Sequence, residues 1–261
     1  MSELTGKQVE NPLNLRPRAV VVGASSGIGE ALARKLAKEG YQLALLARRQ
    51  DRLDKICAEI NQAAGEVRAT AYQHDVTDYE AVPALFRKIL QQMQTIDLFV
   101  YNSGVMYPIG LSEYDFKKDL ATLEVNLLGG IAWLGEAATL FDRLGKGHLV
   151  GVSSVAGDRG RVGNPPYHAA KSGMSTYLEA LRNRLAKKGV HVLTVKPGYV
   201  QTDLLPSSQM PFPVATPEST AEAIYSAIRR GRQVLYTPWW WRYLLLVITH
   251  IPSFIFRRMS F

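Results

Sequence analysis

From Arg18 onward, short runs of consecutive apolar, often β-branched residues alternate with longer stretches whose apolar positions recur every three to four residues. Runs such as Ala19–Val22 and Leu43–Leu46 have no polar face, as expected of strands in a parallel sheet covered by helices on both sides. The pattern predicts strands near 18–22, 42–47, 67–73, 97–101, 147–153, 190–196 and 232–236. Helices are predicted near 27–39, 51–63, 78–93, 115–139, 165–187 and 217–230. Strands that alternate with helices form βαβ units, and the right-handed crossover rule makes them a three-layer, doubly wound α/β fold with a seven-stranded parallel sheet. No composition shift marks a second domain, so one unit over 18–236 is expected, between an N-terminal extension (1–17) and a C-terminal one (237–261).

Ligands of such sheets sit beyond the carboxyl ends of the strands, so chemistry is sought in the residues that follow each strand. After the first strand comes Gly23-Ala24-Ser25-Ser26-Gly27-Ile28-Gly29, which runs straight into a helix. Glycine permits positive φ and close backbone approach, while the free amides and dipole of a helix start attract a pyrophosphate. In this context the loop points to a dinucleotide and a Rossmann fold. Folds that bind NAD place an acidic residue at the end of the second strand, to bond the ribose hydroxyls. Here Arg48 and Arg49 stand at that end. A guanidinium pairs with a 2′-phosphate instead, which favours NADP(H) over NAD.

In this order the motifs resemble the short-chain dehydrogenases/reductases over about residues 18–236. They are the glycine loop, Asp75-Val76 after the third strand, Asn102-Ser103-Gly104 after the fourth, Asn126, Ser154, the pair Tyr167 and Lys171, and Pro197-Gly198 leading through Val200 to Thr202. A second Tyr-x-x-x-Lys, Tyr114 with Lys118, lacks an upstream serine, whereas Tyr167 stands thirteen residues after Ser154, as the family pattern requires. Spacing of four on a helix brings Lys171 beside Tyr167, and a neighbouring cation is expected to lower the phenol pKa toward neutrality. The resemblance implies Tyr167 as general acid/base, Lys171 also on the nicotinamide ribose, Ser154 on the substrate oxygen, and Asn126 positioning a water that relays protons. It further implies that the loop, Asp75-Val76, Asn102–Gly104 and Pro197–Thr202 bind the cofactor, and that the protein is a homodimer or homotetramer. The chain departs from the family pattern at Tyr101 and Ser103, where Asn-Asn-Ala-Gly is usual, and at Val22, where threonine is common. Tyrosine cannot make an asparagine's amide bonds, so the bracing of the fourth strand must differ.

Between Thr202 and Pro217 a stretch with three prolines and apolar residues matches the segment that covers the substrate in this family. Arg159 and Arg161 follow Ser154, either as plain loop charges or as partners of an anionic substrate group. The segment Thr237-Pro-Trp-Trp-Trp-Arg-Tyr-Leu-Leu-Leu-Val-Ile exceeds what a last strand needs. Its tryptophans, aliphatic patch and terminal arginines suit a helix lying in a membrane interface. Packing on a sister subunit or over the substrate cleft are the alternatives. A tail in lipid would go with a hydrophobic or lipid-linked carbonyl substrate.

The formal charge of +8 is spread over helix faces and accompanies no nucleic-acid motif, so nucleic acid is not an expected partner. A single cysteine, Cys57, excludes an internal disulfide and a thiolate metal site, and no metal is expected. Residues 1–17 lack the apolar core of a signal peptide, which points to the cytoplasm, with the inner face of a membrane as a possible station. The reading is therefore an NADP(H)-dependent carbonyl reductase or alcohol oxidiser. A non-catalytic NADP(H) sensor or scaffold is the alternative, and an NAD-dependent oxidiser is disfavoured by Arg48.

Overall fold

The structure, a computed structural model, describes residues 16–204 and 212–259. Its seven strands are β1 (Arg18–Val22), β2 (Gln42–Ala47), β3 (Ala69–Gln73), β4 (Leu98–Tyr101), β5 (Gly147–Val152), β6 (Val190–Pro197) and β7 (Val234–Thr237). They form one sheet in the order β3-β2-β1-β4-β5-β6-β7, with every pair parallel. The helices are α1 (Gly27–Lys38), α2 (Gln50–Ala64), α3 (Val82–Met93), α4 (Phe116–Leu123), α5 (Gly129–Leu144), α6 (Pro165–Leu185), α7 (Pro217–Arg229), α8 (Trp241–His250) and α9 (Ser253–Phe256). This is the doubly wound Rossmann arrangement expected.

Strand alternation divides the apolar residues between two cores. Val20, Val22, Phe99 and Leu149 face α3, α5 and α6, while Ala19, Val21, Leu98 and Val150 face α1, α2 and α7. The first core centres on Trp133, fully buried against Phe86, Phe99 and His74. Trp-sized burial of this kind contributes about 3–5 kcal/mol per side chain.

Several boundaries differ from the sequence expectation, three of them with an identifiable local reason. The helix expected over 115–139 is two helices joined by one over-wide turn, Glu124–Leu128, and it runs on to Leu144. The turn has a visible cause. Tyr101, at the buried end of β4, donates its phenolic hydrogen to the Val125 carbonyl at 2.6 Å, and Asn126 Nδ2 donates to the Thr122 carbonyl at 2.9 Å, so side chains occupy carbonyls at this turn. This is the altered bracing that replaces the family's asparagine. The third helix begins at Val82 rather than near 78, because Asp78 accepts the Ala81 amide in a turn and Pro83 suits only a first helical turn. The last strand is shifted to Val234–Thr237, the Arg230-Gly231-Arg232 turn occupying the positions before it.

Thr237 closes onto the Gly198 amide, and α8 then folds back over the carboxyl end of the sheet. Trp241 and Leu245 are buried there among Val155, Tyr199 and Tyr236. Close by, a partly buried ion pair joins Lys196 to Asp158, and Tyr236 donates to the same carboxylate at 2.8 Å. The ends of β6 and β7 and the loop after β5 are thereby tied to one anionic centre. Replacing Tyr101 by Phe is expected to lower unfolding stability by about 1 kcal/mol, since a buried carbonyl loses a donor. The shift of the urea midpoint at unchanged m-value measures it.

Candidate active site

At the carboxyl edge of β1 the loop is built by close approach. Gly23 has φ +87°, and a Cβ on Gly29 would lie 2.0 Å from the Gly23 carbonyl oxygen. Backbone cannot give way to a side chain there. Asn102 donates from Nδ2 to that same carbonyl at 2.9 Å, which stitches the end of β4 to the loop. Ser26 precedes α1 but makes no capping bond, because its hydroxyl accepts from Arg49 at 2.7 Å. The first amides of α1 are left to an external acceptor. A cradle closed to any Cβ, with unspent amides and adjacent guanidinium groups, fits a phosphorylated dinucleotide.

Arg49 also donates to Ser25 at 3.1 Å and lies 3.4 Å from Asp203. Arg48 is more exposed and reaches Asp75 only at 3.8 Å. Both line a cleft of about 880 Å³ that runs along the carboxyl edge of the sheet. The same cleft is lined by Gly23, Ser25, Ser26, Gly27, Ile28, Val76, Asn102, Ser103, Gly104, Ser154, Tyr167, Lys171, Pro197, Gly198, Val200 and Thr202. Three residues expected at the site do not line it. Gly29 lies beneath the loop, and Asp75, bound to Thr77, borders an adjoining groove. Asn126 is fully buried in the wide turn, its amide divided between both backbone groups of Val105 and the Thr122 carbonyl.

On the far side of the cleft, the Ser154 hydroxyl and the Tyr167 phenol stand close enough to influence one another. The Ser154 hydroxyl also accepts from the Ala156 amide at 3.0 Å, which fixes its rotamer. Lys171, buried, donates to the Val152 carbonyl at 3.1 Å, with its nitrogen 5.7 Å from the centre of the Tyr167 ring. Burial lowers the Lys171 pKa to about 8. Burial likewise raises that of Tyr167, opposed by the nearby Ser154 hydroxyl and the charge of Arg161. The expected lowering by Lys171 is thus corrected: desolvation of the phenolate outweighs the nearby Ser154 hydroxyl and the charge of Arg161. The Tyr114 pair stays on the surface, Tyr114 exposed and Lys118 bound to Glu113.

Asn164 was not among the residues picked out from the sequence. It caps α6 from a left-handed backbone (φ 52°), accepting the Tyr167 amide and donating to the Tyr107 carbonyl at 2.8 Å. It therefore sets Tyr167 and the 105–109 wall in one piece. Asparagine directly before two prolines at a helix start was the available signal. Arg159, considered for a substrate anion, instead donates to the Ile248 carbonyl and stacks on Phe256 at 3.8 Å, anchoring α8 and α9. Of the substrate-covering segment, residues 205–211 lie outside the described residues, as do residues 1–15.

A family model described as "short chain dehydrogenase" matches residues 17–210. The chain belongs to the short-chain dehydrogenase family. This dehydrogenase is 32% identical over 247 residues to an uncharacterized oxidoreductase of Mycobacterium tuberculosis, covering 94% of this chain and 98% of that one. It is 33% identical to an oxidoreductase of Myxococcus xanthus, over 85% of this chain and 87% of the relative. Among solved structures, an alcohol dehydrogenase of Thermococcus sibiricus complexed with 5-hydroxy-NADP superposes with a TM-score of 0.77 at 30% identity, over 84% and 95% of the two chains. A Sphingobium yanoikuyae short-chain dehydrogenase superposes at 0.80 over 91% and 97%, and at 24% identity it speaks for the fold. The dehydrogenase is an enzyme of the oxidoreductase class.

Proposed function

We propose that this enzyme interconverts a ketone or aldehyde and its alcohol with NADP(H), Tyr167 exchanging the proton with the substrate oxygen. The observation that carries the reading is the convergence of Ser154, Tyr167 and Lys171 on the cleft that the glycine loop and Arg49 also line. The loop amides of Gly23–Ile28 would hold the pyrophosphate, and Arg48, Arg49, Ser25 and Ser26 a 2′-phosphate. Val76 and the Asp75 turn would flank the adenine end, with Asn102–Gly104, Pro197, Gly198, Val200 and Thr202 along the nicotinamide end. The 5-hydroxy-NADP complex of the Thermococcus relative supports that choice of cofactor. When bound, NADPH supplies the hydride.

A raised Tyr167 pKa keeps the phenol protonated at neutral pH, the form needed to protonate an alkoxide in the reductive direction. Ser154 holds the carbonyl oxygen toward that proton. Lys171, charged below about pH 8, stabilises the phenolate left behind and reaches the cofactor ribose. Asn126 acts as a positioning residue: it ties Val105, in the cleft wall, to the wide turn.

The rest of the cleft wall suits a hydrophobic substrate, with Met106, Pro108, Ile109, Val155 and Leu204 along it. The tail supports contact with a lipid surface. Its inner residues Trp241 and Leu245 are buried, while Trp239, Tyr243, Leu246, Val247, Phe254 and Ile255 are exposed on the outside. No Asp or Glu occurs over 237–261, against Arg242, Arg257 and Arg258, a balance that fits an anionic bilayer. No helix among the described residues is long and apolar enough to cross a membrane, so the contact would be peripheral.

Tyr167→Phe is expected to lose at least about a thousandfold in kcat while NADPH still binds more tightly than NADH. Steady-state assays over a carbonyl panel, with fluorescence titration of cofactor, check this; full activity in the variant removes the mechanism. Carbonyl reduction is expected to fall as pH rises through about 8, where Lys171 loses its proton. In Lys171→Arg the remaining activity should lack that limb. In flotation assays, vesicles containing phosphatidylglycerol are expected to carry the wild-type enzyme, and Leu246→Asp/Val247→Asp to leave it in solution. A wild-type protein that never floats overturns the lipid contact.

A further inference from the structure

The loop between Ser154 and α6 carries three charged side chains, Asp158, Arg159 and Arg161. Two are spent within the protein. Asp158 holds Lys196 and Tyr236, and Arg159 holds the Ile248 carbonyl and the Phe256 ring. Arg161 instead lines the cleft beside Tyr167 and Asn164, and no carboxylate lies within 4.0 Å of it among the described residues. The guanidinium groups at the cofactor end differ, since Arg48 and Arg49 each have a carboxylate within that distance.

The lining of the cleft offers Arg161 no free counter-charge either. Met106, Pro108, Ile109, Val155 and Leu204 are apolar members of that lining, and the acidic residue in it, Asp203, pairs with Arg49 and Arg52. A half-buried guanidinium that lines the cleft, acts electrostatically on the Tyr167 phenol and meets no carboxylate among the described residues is free to pair with an anion from outside. Its field is felt at the centre, where it favours the ionised form of Tyr167 and the neutral form of His168.

We propose that Arg161 is the substrate-recognition cation: the carbonyl compound taken by this enzyme has an apolar body and an anionic group, carboxylate or phosphate, that pairs with Arg161. This deepens the reductase reading above and rests on the same cleft. The apolar wall selects the body, and Arg161 orients it so that the carbonyl faces Ser154 and Tyr167. A planar guanidinium can meet either anion through two parallel hydrogen bonds, which a lysine cannot reproduce.

The test uses full-length, NADPH-loaded enzyme and non-reacting probes, so that it stands apart from turnover. Octanoate, octyl phosphate and neutral methyl octanoate are titrated calorimetrically into wild type, Arg161→Gln and Arg161→Lys. The wild type is expected to bind an anionic probe at least about tenfold more tightly than the ester, the scale of one charge-assisted pair. In Arg161→Gln that ratio should collapse toward one, and Arg161→Lys should restore part of it. Whichever of octanoate and octyl phosphate binds more tightly identifies the anion. Equal binding of acid and ester by wild type, or a preference that survives in Arg161→Gln with NADPH affinity intact, overturns the proposal. Matched pairs of ω-oxo acids and their methyl esters, assayed with NADPH, give a separate outcome. If neither is reduced while the probes still show an Arg161-dependent preference, the reductase reading falls and the anion site stands.

Discussion

The docking of α6 onto the end of β5 is the interaction on which the rest of the site depends. Lys171 is gripped twice: its backbone carbonyl accepts from Ser153 at 2.7 Å, and its ammonium donates to Val152. His168 meets the Ala156 carbonyl at 2.6 Å, and Gly157 lies so close to the Lys171 backbone that a Cβ there would stand 2.7 Å from it. Ser154 is bracketed by these contacts. A helix and a strand end that could slide would leave serine, tyrosine and lysine as three unrelated side chains. Preorganisation of this kind makes weak acids and bases effective, since their positioning costs nothing at the moment of reaction.

Burial sets the protonation of the site in one direction for both titrating groups, favouring the neutral phenol and pulling the amine down to about 8. On the function proposed above, a neutral tyrosine beside a charged lysine would be the proton donor. The charge of Arg161 and the nearby Ser154 hydroxyl weaken the tyrosine's hold on its proton without taking it away. The cleft carries guanidinium groups at both the glycine loop, Arg48 and Arg49, and the loop after β5, Arg161, with apolar side chains elsewhere in its lining.

The carboxyl-terminal helices have two faces with separate work. Trp241 fills the space over Gly198, where a Cβ would come within 1.8 Å of its indole nitrogen, so the tail helps to fix the Pro197–Val200 wall of the cleft. Arg159 clamps the same helices from the loop after β5. The opposite face leaves tryptophan, tyrosine and aliphatic side chains to whatever lies outside, at a short remove from the cleft.

The sequence by itself determined the sheet, the glycine loop and the catalytic candidates, because each rests on local rules: strand and helix periods, glycine where no Cβ fits, and residues placed at the end of a strand. It marked the fourth strand as unusual at Tyr101, but only packing could show that the phenol reaches across to Val125 and splits the following helix. Spacing brought Lys171 to the side of Tyr167, yet the pKa directions depend on how much water both groups lose, a property of every element around them. In the same way Arg159 and Arg161 are alike in sequence and opposite in use. Which guanidinium meets Phe256 and which faces the cleft was decided when α8 and α9 folded back over the sheet. Asn164 is a short-range capping signal whose second bond, to Tyr107, spans |i−j| = 57 in the chain. Contacts at such separation exist only after the chain has closed on itself.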